Sequence, residues 1–148
     1  MKEETEKPSL EWNSKTIEDG IYEVRVTASD VAGNTETTKL TGTRISEPVV
    51  IDNSAPVIKD YTIETENDTA VLTLNITDAY SVIDNLSYTV NSNKKWKSTL
   101  PEDDIYDTTD ENFTIVIKEL TGGDHVVVVK ISDAENNTMY KTFDVFVK

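Results

Sequence analysis

The chain has 148 residues, 36% of them hydrophobic, and a net charge of −14 from 28 acidic and 14 basic residues. That balance argues against nucleic acid, because phosphate binding needs clustered Lys and Arg, and no apolar run nears the roughly 18 residues a membrane helix needs. Cysteine is absent, which excludes disulfides and thiolate sites, and the length allows one or two small domains.

Residues 1–8 are charged and polar, and a disordered tail is expected there. They lack the apolar core of a signal peptide, so an export signal is expected outside this chain. Ser9–Ser14 alternates Leu10 and Trp12 against polar neighbours, which predicts a half-buried strand. A turn through Asp19-Gly20 leads to a second strand at Ile21–Ser29. The turn Asp30-Val31-Ala32-Gly33-Asn34 then returns the chain as a third, Glu36–Leu40. A further extended stretch, Thr43–Ile51, ends at Asp52-Asn53-Ser54-Ala55-Pro56, where Pro56 restricts Ala55 to extended backbone.

From residue 55 the pattern predicts a complete β-sandwich. Strands are expected at Val57–Glu64, Ala70–Thr77, Leu86–Val90, a short piece at Trp96, Phe113–Ile117, Val126–Ser132 and Met139–Val147. In the second of these Leu72, Leu74 and Ile76 fall inward by the two-residue period of a strand. No segment of ten residues has a helical period. Gly122–Asp133 repeats Asp19–Asp30 at an offset of 103 residues: Gly20 falls on Gly123, Tyr22 on His125, Val24 on Val127, Val26 on Val129, Ala28 on Ile131 and Asp30 on Asp133. The alignment extends back to Leu10 on Phe113 and forward to Asn34 on Asn137 and Leu40 on Phe143. It implies one module type used twice.

The motifs Asp-Gly-Ile-Tyr…Ala-Ser-Asp-Val-Ala-Gly-Asn at 19–34 and Val-Ile-Asp-Asn-Ser-Ala-Pro at 50–56 resemble tandem fibronectin type III or immunoglobulin-like modules of large exported bacterial and archaeal surface proteins. The resemblance implies an all-β fold: the last three strands of one module plus linker over 9–54, then a complete sandwich over 55–148. It also implies an extracellular or cell-surface setting, with neighbouring domains of the same protein as partners. The partial module is expected to expose an apolar face and to cover it by packing on the second module or by homodimerisation.

Alternate loops of such a sandwich gather at one end, here carrying Asp52, Asn53, Asp78, Asp84 and Asp133 with Asn85, Asn136 and Asn137. Hard oxygens of this kind are what calcium takes, so a calcium ion stiffening the module junction is the expectation there. The acidic stretch Asp103, Asp104, Asp107, Asp110 and Glu111 is a second candidate. The single histidine, His125, is expected as a packing residue, and no nucleophile motif accompanies it, so no catalytic role is expected. Trp96, Tyr80, Tyr88 and Tyr106 are the aromatics a carbohydrate- or protein-binding face would use. Five triplets, at Asn67, Asn75, Asn85, Asn112 and Asn136, fit the Asn-x-Ser/Thr acceptor pattern. The residues therefore favour a non-catalytic structural or adhesive module, with a glycan- or protein-binding accessory module as the alternative.

Overall fold

The computed structural model describes residues 5, 7, 9–34 and 37–148, so most of the expected tail lies outside the described residues. The chain divides into two compact units, one ending at Asp52 and the other spanning Asn53–Lys148. No α-helix occurs among the described residues, and none is long and apolar enough to cross a membrane.

The second unit is a β-sandwich. Its strands are β5 (Val57–Glu66), β6 (Thr69–Thr77), β7 (Ile83–Val90), β8 (Lys97–Thr99), β9 (Asp110–Ile117), β10 (Gly123–Asp133) and β11 (Thr138–Val147). β5, β6 and β9 form one antiparallel sheet in that order, and β11, β10, β7 and β8 form the other. Alternation explains why these residues form strands: every second side chain of β6, β9 and β10 is buried. Leu72, Leu74 and Ile76 meet Phe113, Ile115, Leu86, Val127, Val129 and Ile131 in one core, each at most 1% exposed. Burial of this kind is the main term holding a sandwich together, about 1.5–3 kcal/mol for each large apolar side chain. Gly123 opens β10 at φ 120°, a region that favours glycine. Asn67 and Asn136 take the left-handed conformation in the β5–β6 and β10–β11 turns, as short polar residues can.

The first unit holds a 3-10 turn at Ser14–Thr16 and four short strands: β1 (Gly20–Tyr22), β2 (Arg25–Ser29), β3 (Thr41–Ile45) and β4 (Val49–Ile51). β1 pairs with β4 and β2 with β3, both antiparallel, which makes an interrupted two-stranded ribbon. Three expectations change here. Ser9–Ser14 is not a strand: Leu10 and Trp12 are 53% and 40% exposed, and no strand among the described residues pairs with this stretch. Ile21–Ser29 breaks into β1 and β2. The return strand starts at Thr41 rather than within Glu36–Leu40; Glu36 itself lies outside the described residues, and Leu40 is 73% exposed. The forward alignment holds to Asn34 on Asn137 but fails at Leu40 on Phe143, for the same reason. Twelve positions separate the paired residues Ser29 and Thr41, but only six separate Ser132 and Thr138, so the first turn is longer.

Candidate metal centre

Local turn chemistry places the carboxylates. Asp78 follows β6, and its Oδ1 accepts from the backbone N–H groups of Tyr80 and Ser81, both at 2.9 Å. Asp133 ends β10; its Oδ1 accepts from Asn137 N at 2.8 Å and its Oδ2 from Asn137 Nδ2 at 3.0 Å. Such Asx turns are what Asp does at strand ends. They also aim the two side chains. Asp78 and Asp133, both in the second unit, each offer one oxygen, and these lie within 4.8 Å of each other; Asp52 closes the first unit. Asp133 is 1% and Asp52 6% exposed. Each Asp133 oxygen, accepting one of these N–H bonds, keeps a lone pair for a cation. Two carboxylates this close also repel each other unless a positive charge sits between them.

Asp84 does not join this group. The loop was expected to run to Asn85, but β7 already begins at Ile83, and Asp84 is an exposed strand residue. Its charge acts instead on Tyr106, whose hydroxyl pKa is raised above 10.0, chiefly by burial and further by Asp84 and Glu111. Asn53 is half-buried at the start of the second unit. The acidic stretch 103–111 gathers no comparable group among the described residues. Its members serve the chain. Buried Glu111 accepts from Thr108 N at 3.0 Å and Thr108 Oγ1 at 2.9 Å, and Asp110 accepts from Asn75 Nδ2 at 2.7 Å.

His125 is 6% exposed. Its Nε2 lies 2.7 Å from the Thr121 carbonyl, which can only accept, so Nε2–H donates and Nδ1 accepts from Asn91 Nδ2 at 2.8 Å. Asn91 Oδ1 in turn accepts from Val126 N. The residue 103 positions earlier, Tyr22, donates its hydroxyl to Glu18 O, also four residues upstream, at 2.7 Å.

The four aromatics separate. Tyr88 is 8% exposed in the core. The Tyr106 hydroxyl bridges two strands, accepting from Leu86 N at 2.8 Å and donating to Thr99 O at 2.5 Å. Tyr80 is 40% exposed. Trp96 precedes β8 and meets Tyr140 edge-on, ring centroids 6.3 Å apart. Sequence reasoning missed Tyr140. The alternation of β11 was the available signal, because it turns Tyr140 outward while Phe143, Val145 and Val147 turn in. A scan against protein-family models finds no match to this chain, and a search of curated proteins finds none.

Proposed function

We propose that the chain is a non-catalytic structural module pair of an exported, cell-surface protein, spacing or presenting neighbouring domains or contributing weak adhesion. The observation that carries this reading is a pair of corresponding bonds. Tyr22 to Glu18 and His125 to Thr121 occupy matched positions, as do Asn34 Nδ2 to Asp30 and Asn137 Nδ2 to Asp133. They support one module type used twice, which is the composition of a spacer array. A side chain at the start of the sixth strand that bonds back to the chain a few residues upstream is a hallmark of immunoglobulin-like sandwiches, and the three-plus-four strand order fits them. The first unit's ribbon supports the partner reading. β2 and β3 are exposed throughout, and a two-stranded ribbon is marginal alone. Neighbouring domains of the same protein are its proposed cover, with homodimerisation through the ribbon as the variant that light scattering on the purified chain separates. Antibody labelling of intact source cells tests the setting: antigen found only after lysis sinks it.

The alternative, a glycan- or protein-binding accessory module, rests on Trp96 and Tyr140, 39% and 61% exposed as a ring pair. A glycan array with wild type and Trp96→Ala tests it, since binding that Trp96→Ala abolishes would favour this alternative over a spacer.

Calcium at Asp78 and Asp133 is the proposed cofactor, with remaining ligands from backbone carbonyls, Asn53 or water. A melting midpoint unmoved by added calcium and by EDTA removes that part of the proposal.

A further inference from the structure

Of the five acceptor triplets, the fold presents two differently from the rest. Asn67 is exposed in the two-residue turn between β5 and β6, where Glu66 pairs with Thr69, and stands at φ 53°. Asn136 is exposed in the turn between β10 and β11, at φ 65°, with Thr138 exposed beside it. Both asparagines lie outside the paired registers of their hairpins, in surface turns of the kind an enzyme can reach. The other three triplets lie within strands. Asn75 is on β6, the central strand of its sheet, and its Nδ2 donates to Asp110 at 2.7 Å and to Asn112 at 3.1 Å. Asn85 is on β7, paired with Ser132 of β10, and Leu86 and Ser87 of its triplet are paired with β8 as well. Asn112 is on β9, where it pairs with Asn75 and its Oδ1 accepts from Asn75 Nδ2 at 3.1 Å.

We propose that Asn67 and Asn136 are N-glycan acceptor sites of the folded domain, and that Asn75, Asn85 and Asn112 are not. The co-reactant is a lipid-pyrophosphate-linked oligosaccharide. The Asn amide Nδ2 forms a bond to C1 of the first sugar and loses one proton to base. The C1–oxygen bond to pyrophosphate breaks, lipid pyrophosphate leaves, and nothing is oxidised or reduced. Use of the sites in the cell rests on the exported reading above, but acceptor competence does not.

The test incubates the folded chain with a purified oligosaccharyltransferase and its lipid-linked donor, then counts added glycans by intact mass and maps them by peptide. Wild type is expected to gain up to two glycans, at Asn67 and Asn136. Thr69→Ala and Thr138→Ala each remove one and the double variant removes both; these changes keep asparagine at its left-handed position, and circular dichroism verifies the fold. The urea-unfolded chain is expected to gain glycans at the strand triplets as well. Transfer to Asn75, Asn85 or Asn112 of the folded chain overturns the proposal. So does no transfer to the folded chain under conditions that modify the unfolded one. A cytoplasmic location in the source cell would defeat the exported reading while leaving the in vitro pattern intact.

Discussion

The β1–β4 ribbon and the β10–β11 hairpin carry closely similar patterns and meet opposite fates. In the hairpin, Val127, Val129 and Ile131 are fully buried, because β7 pairs with the second edge of β10 and the β5-β6-β9 sheet covers the inner face. In the ribbon, Val26 is 60% exposed and Ala28 is exposed too. Among the described residues only β3 and β4 pair with β2 and β1. Local features survive this difference. The Asp–Asn turn lock and the side-chain bond four residues upstream are present in both. Alternation and turn residues therefore specify strand and turn, whereas burial depends on what lies opposite.

The largest effect separating the two regions is expected at an aligned pair outside the hairpins. Phe113→Ala removes a fully buried ring beside Tyr106 and should cost about 3–5 kcal/mol. Leu10→Ala, at the corresponding position but 53% exposed, should stay within about 0.5 kcal/mol. Urea melts of both variants measure this, and a Leu10→Ala cost near that of Phe113→Ala would mean that the first unit is covered in solution.

Next in size is the turn lock. Asn137→Ala deletes the Nδ2–H bond to the buried Asp133 carboxylate and is expected to cost about 1.5–3 kcal/mol, the range for hydrogen bonds to charged groups. Asn34→Ala deletes the matched bond to Asp30 in an exposed loop, and water replaces it at a cost below about 0.5 kcal/mol. Equal costs would contradict the view that burial, and not the motif, sets the energy.

The same distinction accounts for what was legible in the sequence. The sandwich was readable because Leu72, Leu74 and Ile76 alternate strictly and the alternation coincides with burial. Leu10 and Trp12 alternate equally well, but the pattern cannot reveal that both stay exposed. The longer first turn was hidden because 103-residue matching runs straight through it, onto Leu40. At the candidate site, turn chemistry in Asp78 and Asp133 was visible as loop-end carboxylates. Asp84 was misplaced because a strand start two residues before Asn85 turns the side chain outward, and one residue of register reverses a face. The Trp96–Tyr140 contact joins residues from opposite edges of a four-stranded sheet, a distance that local pattern does not reach.

Tyr106→Phe sharpens the contrast through pH. The variant keeps the ring near Phe113 but removes the hydroxyl that links Leu86 N to Thr99 O, at an expected cost of about 1 kcal/mol. Because burial raises the hydroxyl pKa above 10.0, the folded state holds that proton more tightly than the unfolded chain does. The resulting stability is complete below pH 10 and is lost as pH climbs through the folded value. Wild type should therefore lose part of its midpoint advantage over Tyr106→Phe in that window, and a constant difference across it would count against burial of the hydroxyl.

The smallest effect is expected at Tyr22→Phe. Its hydroxyl bond to Glu18 O matches the bond from buried His125 to Thr121 O, yet Tyr22 is only half-buried and the Glu18 carbonyl can turn to water. The loss should not exceed about 0.5 kcal/mol, at the low end for a single neutral hydrogen bond. If hydrogen exchange instead found the β1 amides strongly protected in wild type and released by Tyr22→Phe, the ribbon would be a cooperative unit held by that corner, and the two regions would differ less than their exposures imply.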